Sequence, residues 1–218
     1  MIPATLACAL ACIALVIGEY RNDDRLRWIA KPIASAAFIV VGVIAATKAP
    51  RAGSIDAFTV AVVTGLVLGA IGDLALLSRH GFLAGLGAFL LGHLAYVVAV
   101  ATRLSPWTWP GAAGVFALAP IGVGSIALAW LWPKLGRLRI PVIAYVAVIL
   151  MMVIAALALL RAGSLDLQRR ELFAVGAILF FASDLAVARD KFAAKEFINR
   201  AWGLPVYYAA QLLIAWSI

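Results

Sequence analysis

The sequence predicts an all-α, polytopic membrane protein of about eight transmembrane helices, and three observations carry that reading. Hydrophobic residues make up 66% of the chain and charged ones 13%, with a mean hydropathy of +1.07, far from the composition of soluble domains. Apolar runs of crossing length recur from end to end, separated by short polar breaks. A bilayer core of roughly 30 Å takes about 20 helical residues per crossing, so 218 residues with short loops hold about eight spans and no separate soluble domain. Residues 1–218 are expected to form one integral membrane domain.

The runs fall at 3–18, 32–47, 57–77, 85–102, 111–132, 140–160, 171–188 and 201–218. No Lys or Arg precedes the first, as a cleaved leader would require, so it reads as a retained helix. Its Cys8 and Cys12, four apart, suit small core side chains better than a metal site or lipid attachment, and a disulfide between them would not fit bridge geometry. The breaks carry turn and interface signals: the charged run Glu19 to Arg27, the Pro/Gly segment 49–54, and Trp107 to Trp109 flanked by Pro106 and Pro110. Gly65, Gly69 and Gly72 recur on the third run, and Gly85, Ala88 and Gly92 on the fourth, as smooth stripes that let helix backbones approach. Pro120 and Pro205 fall inside the fifth and eighth runs, where kinks are expected.

A net charge of +8 would suggest nucleic acid in a soluble protein. Here Lys and Arg sit between apolar runs, where they anchor helices and meet anionic lipid, so the bilayer is the expected partner. Odd-numbered breaks hold twelve of them, Arg79 among these, and even-numbered breaks six, which places the odd breaks in the cytoplasm of a bacterial inner membrane.

Two carboxylates lie inside apolar runs, Asp73 in Gly72-Asp73-Leu74-Ala75 and Asp184 in Ser183-Asp184-Leu185-Ala186. A charged side chain in a membrane helix costs roughly 2.5 to 3.5 kcal/mol on insertion scales and marks a functional site by default. Arg51-Ala-Gly-Ser-Ile-Asp56 and Arg161-Ala-Gly-Ser-Leu-Asp166 stand 110 residues apart, and Tyr96 and Tyr207 each follow their aspartate by 23. These landmarks read either as two parallel four-helix halves, 1–106 and 107–218, or as a chance loop match in an alanine-rich and glycine-rich chain.

Each aspartate lies roughly 6 to 8 Å inside its helix end, on the side where Glu19 and Lys31 close the first two runs and His93, Tyr96, Tyr207, Tyr208 and Gln211 begin the fourth and eighth. Two carboxylates close together in a low dielectric cannot both ionise cheaply, so such a pair is expected to share a proton and supply an acid and a base. The bland alternative has each aspartate capping a helix or pairing with Lys31 or Arg139. With only His80 and His93 the chain cannot supply a three-histidine zinc site, no metal or cofactor is expected, and no GxSxG elbow or phosphate loop is present.

On Lys31-Pro32, Gly72 to Leu77, Phe89-Leu-Leu-Gly-His93-Leu-Ala-Tyr96, Phe180-Phe-Ala-Ser183-Asp184 and Tyr207-Tyr-Ala-Ala-Gln211, the sequence resembles the YhhN family, the membrane lysoplasmalogenases. The resemblance implies hydrolysis of the vinyl ether of a lysophospholipid to a fatty aldehyde and a glycerophospho-alcohol, with Asp73 and Asp184 as catalytic pair. In the mechanism this suggests, His93, Tyr207 and Gln211 hold the water or the glycerol oxygen, Tyr96 and Ser183 support them, and Lys31 with Arg137 or Arg139 receives the phosphate at the membrane surface. The competing reading is a small proton-coupled transporter using the same aspartates.

Overall fold

Each apolar run folds as helix in the computed structural model, which describes residues 1–48, 56–78, 80–163 and 165–218. The segment 49–54, Arg79, and Arg51 and Ser164 of the repeated Arg-Ala-Gly-Ser stretch lie outside the described residues.

Helix α1 (Ile2–Arg21) has proline in its first turn and ends at Asn22, in the left-handed region with φ 53°. The Asn22 and Asp23 amides return to the Glu19 and Gly18 carbonyls, closing the helix in two residues. Helix α2 (Asp24–Lys48) therefore begins eight residues before the expected 32. The Asp23 carboxylate accepts from the Leu26 amide (3.1 Å), Asp24 lies at the positive end of the helix dipole, and Arg27 pairs with Asp24 (3.0 Å). The charged run is thus helix, and Lys31 lies two turns inside it instead of closing it at the surface.

Asp56 caps α3 (Ala57–Leu77) by accepting from the Thr59 amide at 2.8 Å. The Gly81 amide donates to the Ser78 carbonyl at 3.1 Å, just ahead of α4 (Phe82–Ala101). The fifth run is broken: a short α5 (Trp109–Ala113), a 3-10 turn over Gly114–Ala117 and α6 (Leu118–Leu131) replace one continuous helix. The break falls at Gly114, with φ 55°, and not at Pro120, which occupies the first turn of α6 where its missing N–H costs nothing. Helix α7 (Arg139–Ala162) stops at Gly163 (φ 75°), Asp166 caps α8 (Leu167–Phe192) on the Arg169 amide (3.0 Å), and α9 (Phe197–Trp216) runs on through Pro205.

Seven stretches among the described residues are long and apolar enough to cross a membrane; α9, with Asn199, Arg200 and Gln211, is the remaining long helix. The chain is an integral, multi-pass, all-α membrane protein. Helices α1, α2, α3, α4, α7, α8 and α9 pack in that cyclic order, α9 also reaching α2 and α3, while α5 and α6 lie outside against α7. Helix α9 touches α1, α2, α3 and α8, and its Tyr207 and Gln211 bond to Asp73 on α3 and Tyr96 on α4.

Candidate functional site

The site forms where α9 passes α3. On α3 the glycine stripe faces bulky neighbours: a Cβ at Gly65 would strike the Tyr96 ring, one at Gly69 the Gln211 amide, and one at Gly72 the Phe89 ring at 2.8 Å. The stripe read as a packing signal is also what admits polar side chains to the middle of the bundle.

Asp73, 2% exposed, sits at the end of that stripe. Its Oδ2 accepts from the Ser35 hydroxyl (2.7 Å) and the Tyr207 hydroxyl (2.9 Å), and its Oδ1 pairs with Lys31 Nζ at 3.3 Å. Tyr96 donates to Gln211 Oε1 (2.7 Å), Gln211 Nε2 donates to the Tyr207 oxygen (3.1 Å), and Tyr207 donates onward to Asp73. Three successive donors from α4 and α9 thus point toward one carboxylate, and α2 supplies its cation. In a low dielectric such an arrangement holds only when every member is satisfied, because a half-satisfied network strands buried polar groups.

Asp184 has a different set of neighbours. Its Oδ2 accepts from the Tyr145 hydroxyl (2.8 Å), and His93 Nε2 stands 3.9 Å from the same oxygen, beyond direct hydrogen bonding. His93 is fully buried, its ring against Tyr145 and Phe180 (centroids 5.2 and 4.5 Å apart), and neither ring nitrogen has a hydrogen-bond partner. No Lys or Arg reaches Asp184 among the described residues.

The contacts do not pair the two carboxylates with each other. Each has its own partners, and the clusters share Phe180 as a wall, since both His93 and Tyr207 pack on its ring (4.5 and 5.2 Å). The two carboxylates thus have unlike neighbours: Asp73 has Lys31, Ser35 and Tyr207, and Asp184 has a phenol and an imidazole.

The remaining expected site residues divide. Tyr96, Tyr207, Gln211 and Lys31 all belong to the Asp73 cluster, and His93 to the Asp184 cluster. Ser183 donates to the Phe180 carbonyl one turn back (2.8 Å) and touches neither carboxylate. Arg139 is exposed and lies over the Trp132 ring at 4.8 Å, so it joins neither cluster. Lys31, engaged with Asp73, is not at the surface where a phosphate would meet it. Ser35 and Tyr145 were not singled out from sequence. Ser35 follows Lys31 by four, on the same helical face, and Tyr145 lies inside an apolar run instead of at its interface, which were the available signals. Among the described residues no three His, Cys, Asp or Glu side chains gather as a metal would need.

Beneath these clusters the helix ends are tied by ion pairs. Arg200 bridges Glu19 (2.8 Å) and Asp190 (3.1 Å), Arg27 approaches Glu19 (3.5 Å), and Arg189 bonds Asn199 and Glu196. The ends of α1 and α2 are thereby fastened to the turn between α8 and α9.

The profile of the YhhN family matches residues 26–218. The chain is similar to the uncharacterised membrane protein YhhN of Escherichia coli, 28% identical over 224 residues that cover 100% of this chain and 99% of that protein. It is also similar to a lysoplasmalogenase of Mycobacterium bovis (36% over 162 residues, 70% of this chain and 58% of that protein) and to human lysoplasmalogenase TMEM86B (31% over 195 residues, 89% and 77%). No solved structure matches. Motif order, helical architecture and the extent of the match agree, and the chain belongs to the YhhN family.

Proposed function

We propose that the protein hydrolyses the vinyl ether bond of a lysoplasmalogen within the membrane, releasing a fatty aldehyde and a glycerophospho-alcohol. Relatives named lysoplasmalogenase support the reaction class. The observation that carries the site is His93, buried, with both nitrogens unpartnered and 3.9 Å from the Asp184 carboxylate. A stranded buried imidazole costs its desolvation without return, so a small polar molecule within hydrogen-bond reach of His93 belongs to the working state.

Vinyl ether cleavage needs a proton on the β-carbon, an anion near the resulting oxocarbenium ion, and water. The unlike surroundings suggest the division of labour. Asp184, without a cation beside it, donates the proton while Tyr145 orients its carboxyl; Asp73, held as an anion by Lys31, Ser35 and Tyr207, stabilises the cation. Water held by His93 adds to the α-carbon and returns a proton to Asp184. The hemiacetal then collapses, its hydroxyl proton passing to the glycerol oxygen as the C–O bond breaks. Each step balances without a metal or cofactor entering it.

The test is aldehyde release from lysoplasmalogen by purified protein in detergent, with no gradient across any membrane. General acid–base groups contribute about 10²- to 10⁴-fold, so Asp184→Asn and Asp73→Asn should each lose activity by at least about 10²-fold while remaining folded. A wild type that releases no aldehyde yet moves substrate across proteoliposomes by way of the same aspartates would replace the hydrolase with the transporter.

A further inference from the structure

The hydrogen bonds that reach Asp73 from α4 and α9 have a direction, and one residue sets it. A primary amide accepts only at its oxygen and donates only at its nitrogen, whereas a hydroxyl has one proton to give. Gln211, fully buried, turns Oε1 toward the Tyr96 hydroxyl (2.7 Å) and Nε2 toward the Tyr207 oxygen (3.1 Å). Tyr207, accepting from that nitrogen, gives its own proton to Asp73 Oδ2 at 2.9 Å. Turning the amide by half a revolution would reverse every bond. Tyr207 would then donate to Gln211 and accept from a protonated Asp73, and Tyr96 would accept from Gln211. Tyr96 opposes that order. It is fully buried and its hydroxyl bonds to Gln211 alone among the described residues, so in the reversed chain its proton would have no acceptor.

We propose that Tyr96 and Gln211 are positioning residues for the ionisation of Asp73: by committing the Tyr207 hydroxyl to donate, they keep the Asp73 carboxylate free of a proton without touching it. The other neighbours of Asp73 support this. Lys31, 3.3 Å from Oδ1, has only protons to offer, so a proton on Asp73 would have to sit on Oδ2. There it would meet Tyr207, already committed as a donor, and only the Ser35 hydroxyl (2.7 Å) would remain to turn and receive it. Asp184 gives the contrast. Among the described residues the Tyr145 hydroxyl bonds to Asp184 alone, so no third group dictates which of the two gives the proton. The proposal rests on the hydrolase reading only for the use made of the anion, the stabilising of an oxocarbenium ion.

Infrared difference spectra of the whole protein in detergent test it, because a protonated carboxylic acid and a carboxylate absorb in separate bands. Subtracting the spectrum of Asp73→Asn in the same background isolates Asp73, and the Lys31→Met, Asp73→Asn double variant serves as reference if the single one does not fold. Wild type should show Asp73 as a carboxylate. Tyr96→Phe deletes the hydroxyl that sets the direction, and at one mildly acidic pH it should raise the protonated fraction of Asp73 about threefold or more, on the scale of one net hydrogen bond. Gln211→Met removes the amide itself and should act the same way if Tyr96→Phe does not fold. Thr5→Val, which removes the hydrogen bond to Trp216 on the same helix α9 but outside the chain, should leave the Asp73 bands unchanged. A protonated Asp73 in wild type, bands unmoved by Tyr96→Phe and Gln211→Met, or an equal movement in Thr5→Val would overturn the proposal. The spectra read ionisation and not turnover, so bands that move as expected in a protein that releases no aldehyde would sink the hydrolase alone. Aldehyde release with unmoved bands would sink the positioning role alone.

Discussion

Lys31 and Asp73 exist in the bundle only as a pair. Removing one partner of a buried ion pair leaves an uncompensated charge, which in soluble proteins costs about 3 to 5 kcal/mol, whereas removing both is often nearly neutral. Lys31→Met should therefore lower the melting temperature well below wild type, and Lys31→Met combined with Asp73→Asn should recover much of the loss; calorimetry or a thiol-independent melt in detergent measures both. Tyr145→Phe removes the hydroxyl that holds Asp184 and should lower turnover more than lysolipid binding, as a kcat effect with KM little changed. These two residues also show how far single positions were legible. The cost of a charge in an apolar run made Asp73 and Asp184 conspicuous. Their separate partners were not, because partnership depends on which helices become neighbours, and Ser35 and Tyr145 look ordinary until α2 and α7 are in place.

At the level of elements, α3 was readable almost to its ends, since a polar cap at Asp56 and an unbroken apolar run admit little else. The start of α2 was misread because charge was taken as a loop signal, when Asp23 and Asp24 favour a helix start. Glycine separates structural from permissive positions. Gly69→Ala would drive a Cβ into the Gln211 amide and should abolish the donor chain to Asp73, with falls in both melting temperature and activity. Gly87→Ala on α4 meets nothing within 4 Å and should gain about 0.5 to 1 kcal/mol from helix propensity alone. A matched pair of thermal melts checks the contrast. At the outer end of the α3–α4 pair, burial by itself would raise the Asp56 carboxyl, but the Thr59 hydrogen bonds and the Arg103 guanidinium outweigh it and hold the group below its ordinary value. A lowered folded-state value means stability present above about pH 4 and lost as pH falls further. Arg103→Gln should flatten that acid limb of a pH-dependent melt.

For the molecule as a whole, the all-α, multi-pass architecture was legible from hydropathy, but the break in the fifth run and the closure of the helices into a ring were not. Nothing in the apolar runs says that α9 touches α1, α2, α3 and α8. The two-half architecture stands as our proposal: α2 against α9 and α4 against α7 are the contacts that a two-fold axis between the halves would relate. The environments of Asp73 and Asp184 then differ as duplicated sites do once their tasks separate. The ion pairs around Arg200 hold this ring at one end, and Arg200→Gln should loosen it, seen as faster proteolysis between α8 and α9 and a melt less dependent on salt than wild type.

Trp216 near the end of α9 donates to the Thr5 hydroxyl at 3.2 Å, so α1 is flanked by a helix synthesised long after it. Tyr207 and Gln211, whose hydrogen bonds lead to Asp73, also arrive only with α9. During biogenesis the Asp73 carboxylate must wait in the lipid with Lys31 and Ser35 alone, and a nascent chain stopped before Phe197 would present to the cell's quality-control proteases an unfinished membrane protein with its polar interior open.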